Sequence, residues 1–229
     1  QSGQSDPSVI AQQMALFDGV DIWLLQEVNK KEVAILEAGA EDGEGADFTS
    51  VLSSAGDGNH LLTIYNDDRF DVQTIEETPE INILGRVRPM LTVLLYDDTS
   101  IFAVANNHLY SSNAEARVQQ ARILNQWAKN LADAPIIAGG DMNFEARSDD
   151  RGYAAITAGE LWQRIVPDND GPTRPNGRAI DHIFVVGTGK EWPVSAQIIE
   201  RENDLDNEQN SDHRPVLALV GPEVVAPLI

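Results

Sequence analysis

Polar clusters stand at the ends of short apolar runs at five places, and this recurrence constrains the fold more than any other feature of the chain. They are Gln26-Glu27 after the run 20–25, Asn106-Asn107-His108 closing the run from 101, and Asp141-Met142-Asn143 just beyond 135–138. The last two are Asp181-His182 within 180–186 and Ser211-Asp212-His213 ahead of 215–220. Apolar runs of this length, bounded by turn formers, read as buried strands. Strand ends are rigid, so side chains there can be held within fractions of an ångström of each other. The clusters supply carboxylates, amides and imidazoles and no thiol, because the chain has no cysteine. That excludes disulfides, thiolate nucleophiles and Cys-type zinc sites. Hard oxygen donors favour Mg²⁺, with Mn²⁺ or Ca²⁺ as alternatives, over Zn²⁺.

The rest of the chain fills in a sandwich. Ser5-Asp6-Pro7 reads as a helix start, with Val9, Ile10, Met14, Leu16 and Phe17 on one face before Gly19. Strands are expected at 61–65, 90–96, 101–107, 135–138, 180–186, 194–199 and 215–220, with Gly139-Gly140 closing the fourth of these. A helix is expected over 112–132, a loop over the Gly- and acid-rich 39–47, and an exposed loop over 200–211. Many strands with a few helices predict an α/β sandwich, two packed sheets covered by helices. At 229 residues, without repeats or a dividing linker, the expectation is one domain over 1–229.

The net charge is −21, with twelve arginines and only four lysines. Such a surface repels phosphodiester backbones and argues against a general nucleic-acid-binding module. Bound divalent cations and a few local arginines can reverse the field at a phosphate-processing site. Scarce lysine beside abundant aspartate favours a secreted or periplasmic setting over a cytoplasmic one. No apolar run approaches the roughly 18 residues that cross a bilayer. No basic start followed by an apolar core is present either, so neither membrane insertion nor a signal peptide is expected within this stretch. A monomer is expected.

Each cluster alone has a plainer reading: a histidine after a strand is usually structural, and an aspartate there is usually a turn former or cap. Three of the four histidines fall within these clusters, however, and the order of the clusters is specific. Leu25-Gln26-Glu27-Val28, His108-Leu109, Gly140-Asp141-Met142-Asn143, Ile180-Asp181-His182-Ile183-Phe184-Val185 and Ser211-Asp212-His213-Arg214-Pro215-Val216 together resemble the endonuclease/exonuclease/phosphatase (DNase I-like) superfamily. The resemblance spans 20–220.

It implies a four-layer α/β sandwich of two mostly antiparallel sheets flanked by helices. It also implies cleavage of phosphate esters by in-line attack of water, most simply as a phosphodiesterase or nuclease. By the same resemblance Glu27 is a metal-binding carboxylate and Asp212 a further metal-linked one. His108 is a general acid or phosphate contact, Asp141 and Asn143 orient water and phosphate, and Asp181 holds the ring of His213. Members acting on sphingomyelin or inositol phosphates share these motifs, so a lipid or small phosphate ester is the alternative substrate. A catalytically inactive binding domain would lack at least one of these residues, and all are present. The family usually opens with a strand ending in an Asn that helps hold the metal, and the residues before Ser5 show no such strand. Some members support the His108 counterpart with a carboxylate where Arg88 stands.

Arg86 and Arg88 share one face by strand alternation and are candidates for substrate phosphate. His182 alternates to the face opposite Asp181 and is expected to be structural, and His60 is expected on a surface loop. Arg117 and Arg122 fall on the helix after His108, where Arg122 is placed either as a family arginine or as a tie between helix and sheet.

Overall fold

A computed structural model describes residues 5–55, 59–83, 89–131, 133–200 and 210–221. The first helix, α1 (Pro7–Met14), is capped by the Asp6 carboxylate, which accepts from the Ser8 amide at 2.9 Å. Strand β1 (Ile22–Val28) follows, then α2 (Val33–Glu44), β2 (Phe48–Leu52) and β3 (His60–Asn66). These strands form a three-stranded antiparallel sheet in the order β1-β3-β2. Strands β4 (Asp71–Thr78), β5 (Met90–Tyr96), β6 (Ile101–His108), β7 (Pro135–Asp141), β8 (Trp162–Arg164) and β9 (Asp181–Gly187) form the second sheet, in the order β4-β5-β6-β7-β9-β8. Only its β6–β7 pair is parallel. The connection between them carries α3 (Ala114–Asn130), as a parallel crossover requires. Helix α4 (Arg151–Thr157) packs on α3, and β10 (Val194–Ile198) pairs with β11 (Val216–Val220) as a separate ribbon.

Alternation along the central strands builds the layers. On β6, Ala103 and Ala105 face α3 with Leu124 and Ala128, while Phe102 and Val104 face the other sheet with Tyr65, Ile22 and Leu24. On β3, Leu62 and Ile64 pack under α1 and α2 with Ile10, Met14 and Leu36. The order helix, sheet, sheet, helix is the four-layer sandwich expected. Covered on both faces, β6 is buried from Phe102 to His108, which is why it reads as an apolar run up to its polar end.

Three expectations need correction. Residues 39–44 are helical within α2, not loop, and Gly45 ends the helix with φ 70°. The glycines inside it answer to packing: a Cβ on Gly39 would lie 2.7 Å from the Ala11 backbone, so α1 can cross there only over glycine. Likewise Gly139 and Gly140 do not close β7, which runs on to Asp141. His60 opens β3 and bonds the Ser53 carbonyl through Nδ1 at 2.7 Å, a strand residue instead of a surface-loop one. Most of the loop expected at 200–211, and Arg86 and Arg88, lie outside the described residues.

Among the described residues, β1 and β11 each have one strand partner. Between their other edges runs a cleft of about 1110 Å³, lined by Ile10, Met14 and Phe17 on one side and Phe102, Ile137 and Trp192 on the other. Asp181 and His213 line it too.

Candidate active site

Strand register sets the site. His108 on β6 pairs with Asp141 on β7, and Asp141 pairs with Asp181 on β9, so three polar residues stand side by side at adjacent strand ends. The row is tight because β7 carries Gly140 with φ 131°. A Cβ there would lie 2.0 Å from the Asn107 carbonyl oxygen, a clash no side chain can avoid.

From this row the charged groups alternate. Glu27 Oε1 lies 3.9 Å from His108 Nε2, which lies 3.5 Å from Asp141 Oδ2. That oxygen lies 3.9 Å from His213 Nε2, which lies 3.7 Å from Asp212 Oδ1. Carboxylate and imidazole therefore follow each other from Glu27 to Asp212, with Asp141 at the centre. Behind His213, Asp181 receives the Nδ1 proton through both carboxylate oxygens, at 2.9 and 2.8 Å. The bond fixes the ring and leaves Nε2 facing Asp141 and Asp212.

Electrostatics follow from the burial of this array. Burial, and then the neighbouring charge of Asp181, push the Asp141 carboxyl up to about 7, against the pull of His213. For His213 burial disfavours the charge, but the hydrogen bond and charge of Asp181 and the charge of Asp141 outweigh it, so its pKa is raised. Perturbation of both groups in one cleft is typical of a functional site.

Each expected site residue other than Arg86 and Arg88 falls in this region. Asn143, with φ 53° and nearly full burial, donates its backbone amide to Asp141 Oδ1 at 2.9 Å. Its side-chain nitrogen donates to the Leu109 carbonyl at 3.0 Å. Glu27, also at positive φ, sits within the break in register between Leu25 and Val28, and its carboxylate lies 3.9 Å from His108. Glu27 and Asp212, the carboxylates expected to hold metal, stand at opposite ends of the array. The groups that come within 4.8 Å of one another are Asp141, Asp181 and His213. His182 is buried, bonds the Phe144 carbonyl through Nε2 at 3.0 Å and stacks on the Phe144 ring, as a structural histidine does. Arg117 donates to the Tyr110 and Ser111 carbonyls at 2.8 and 2.9 Å, and Arg122 is exposed on the outer face of α3.

Further residues support the site, of which Thr173, Arg174 and Arg178 lie outside the five clusters. Asn106 donates to the carbonyls of Leu25 and Leu62 at 3.1 and 2.9 Å and accepts from Gln26 at 2.8 Å, stapling the two sheets beneath Glu27. Thr173 Oγ1 accepts from the amides of Ile180 and Asp181 at 3.0 and 3.3 Å and so fixes the start of β9. Arg174 pairs with Asp212, and Arg178 donates to the Asn143 carbonyl at 3.3 Å. Two arginines four residues apart, just before Asp181, were the available signal.

A cation suits this donor set. Four carboxylates, Glu27, Asp141, Asp181 and Asp212, lie against two imidazoles, and burial together with the charge of Asp181 raises the Asp141 pKa. A divalent ion would relieve the repulsion between Asp141 and Asp181.

Comparison with known proteins agrees with the fold. A conserved protein of unknown function from Enterococcus faecalis V583 superposes with a TM-score of 0.72 at 21% identity, over 95% of this chain and 91% of that one. Humanized D. rerio TDP2 gives 0.73 at 18%, over 93% and 90%. The mannosyl-6-phosphatase Bt3783 of Bacteroides thetaiotaomicron VPI-5482 gives 0.68 at 20%, over 94% and 90%. No curated protein sequence matches. The profile of the Endonuclease/Exonuclease/phosphatase family matches residues 3–213, and the chain belongs to that family of phosphoester hydrolases.

Proposed function

We propose that this protein hydrolyses a phosphate ester with the help of a divalent cation, Mg²⁺ in the first instance, and that a phosphodiester is its substrate. The observation that carries this reading is the alternating array from Glu27 to Asp212 with the Asp181–His213 pair behind it. Glu27 at one end of the array and Asp212 at the other would each offer carboxylate oxygens to a divalent cation, and Asp141, Asp181 and His213 between them are the groups close enough to share one. When bound, it would neutralise charge developing on the phosphoryl oxygens. His213, oriented by Asp181, takes a proton from the attacking water or gives one to the leaving oxygen at Nε2. Asp141 accepts a hydrogen bond from that water, and Asn143 holds Asp141 in place through its backbone amide. His108, between Glu27 and Asp141, donates to a phosphoryl oxygen.

A net charge of −21 favours a second reading, in which the ester is small or lipid-borne and not part of a polyanion. The name of the mannosyl-6-phosphatase relative fits that reading. A panel of duplex DNA, single-stranded DNA, RNA, sphingomyelin, inositol phosphates and sugar phosphates, each with Mg²⁺ and with EDTA, tests both. Metal-dependent release from at least one member is expected. Absence of release from all of them, with the protein folded, refutes the activity.

A further inference from the structure

The turn ahead of β9 is fastened on all sides. The amides of Thr173 and Arg174 both donate to the Arg178 carbonyl at 3.0 Å, and Gly177 donates back to Arg174 at 3.1 Å. Thr173 Oγ1 holds the start of β9, while the Thr173 carbonyl accepts from the Arg214 amide at 2.8 Å and Pro172 accepts from the Arg214 guanidinium at 3.1 Å. The turn is thus tied both to the strand that carries Asp181 and to the residue that follows His213. Its side chain at 174 has little freedom to be elsewhere.

Arg174 uses that position to reach Asp212 Oδ2 with one terminal nitrogen. The other oxygen of Asp212 lies 3.7 Å from His213 Nε2, so the guanidinium stands one carboxylate away from the nitrogen that handles protons. Its Nε is buried without a hydrogen-bond partner, and the side chain as a whole keeps 29% of its surface open. A guanidinium carries five donors in a planar fork that matches phosphate. Among the described residues, one terminal nitrogen is engaged, by Asp212. A half-open ion pair contributes about 0–1 kcal/mol to stability, so the pair with Asp212 alone gives the Arg174 side chain little structural role.

We propose that Arg174 is a substrate-binding residue whose guanidinium takes an oxygen of a terminal, doubly charged phosphate group beside His213. The assignment rests on the phosphoesterase reading above and narrows its substrate class. An internal diester brings one negative charge to the cluster and a terminal phosphate brings two. A fixed cation in addition to the metal favours the second. The overall charge of −21 acts in the same direction, because it repels a polyanion and leaves a small terminal phosphate to the local field.

The experiment compares wild type with Arg174→Ala, Arg174→Gln and Arg174→Lys on p-nitrophenyl phosphate and bis-p-nitrophenyl phosphate with Mg²⁺. Inhibition by inorganic phosphate and the thermal midpoint are followed in parallel. Loss of a charge-assisted phosphate contact should raise KM for the monoester and the inhibition constant of phosphate by about 10- to 100-fold in Arg174→Ala. The diester KM should change much less, and any fall in kcat that follows from loosening Asp212 should be shared by both esters. Arg174→Lys should recover part of the loss, and Arg174→Gln none. Unchanged monoester KM and phosphate inhibition would overturn the assignment. So would equal rises in KM for both esters accompanied by a lower thermal midpoint, which would make Arg174 a strut for the turn. If wild type cleaves neither ester, the phosphoesterase reading has failed on these probes. Calorimetric titration with inorganic phosphate then still decides: heat lost in Arg174→Ala supports the site, and heat retained, or no heat in wild type, refutes it.

Discussion

The two sheets of this sandwich are closed to different degrees, and the active site draws on both. In the six-stranded sheet, β6, β7 and β9 have partners on either edge, and their ends set His108, Asp141 and Asp181 in one register row. In the opposite layer β1 and β11 have one partner each among the described residues. Glu27 sits within a break in the register of β1, and Asp212 and His213 precede β11. The row His108, Asp141 and Asp181 is therefore held by backbone ladders, while Glu27, Asp212 and His213 depend on side-chain ties such as Asn106 to Leu25, Arg174 to Asp212 and Asp181 to His213. The comparison teaches that one part of the array is fixed by the rigid sheet and the other, His213 included, is placed by side-chain contacts.

Removing His213 gives the largest expected effect. His213→Ala should lower kcat by on the order of 10²–10⁴-fold, the range of general acid–base help, with the thermal midpoint little changed. A rate near wild type in steady-state assays would place the proton chemistry elsewhere.

Next comes the core of the closed sheet. His182 is buried and neutral, its pKa lowered to about 4 by burial and by the nearby charge of Arg164. Its Nε2–H is bonded to Phe144, while Nδ1 has no partner, so a second proton would be stranded there. The unfolded chain binds that proton from about pH 6.5 downward and the folded protein does not, so stability should fall as pH drops from about 6.5 toward 4. The loss is on the order of 3 kcal/mol. Urea midpoints across this range should show the slope in wild type and a shallower one in His182→Gln; equal slopes would remove His182 as the cause.

Glu27→Gln tests the open half. It should raise the Mg²⁺ concentration needed for half-maximal rate by about 10- to 100-fold, with kcat at saturating metal affected less than in His213→Ala. An unchanged metal requirement would move cation binding to the Asp141–Asp181–His213 trio. The smallest effect is expected at Arg69→Ala, on the loop that pairs with Asp21 ahead of β1. Arg69 is 60% exposed, so its loss should cost less than about 1 kcal/mol by urea denaturation. A larger cost would show that β1 is held from that end.

What the sequence revealed follows the same division. Strands covered on both faces, such as β5 and β6, were legible because they are mostly apolar, broken only by Thr92 in β5 and by the polar end of β6. The exposed edge strand β4 was not, since most of its residues face solvent and no apolar alternation marks it. Helix α2 was hidden by Gly39 and Gly43, which look like loop residues in one dimension and are close-packing residues in three. In the site, Asp141, Asp181 and His213 could be named from motifs at strand ends. Thr173 and Arg174 could not, because their importance lies in partners 7 and 38 residues away along the chain, and Asn106, though it falls in a strand-end cluster, owes its role to Leu25, 81 residues away.

The central claim is that the array from Glu27 to Asp212 works with a divalent cation on a phosphate ester. The direct measurement is the initial rate of phosphate-ester cleavage by purified protein, before EDTA, after it, and after Mg²⁺ or Mn²⁺ is restored in excess. Cleavage should vanish with the chelator and return with the metal. Cleavage that persists undiminished in EDTA contradicts the account.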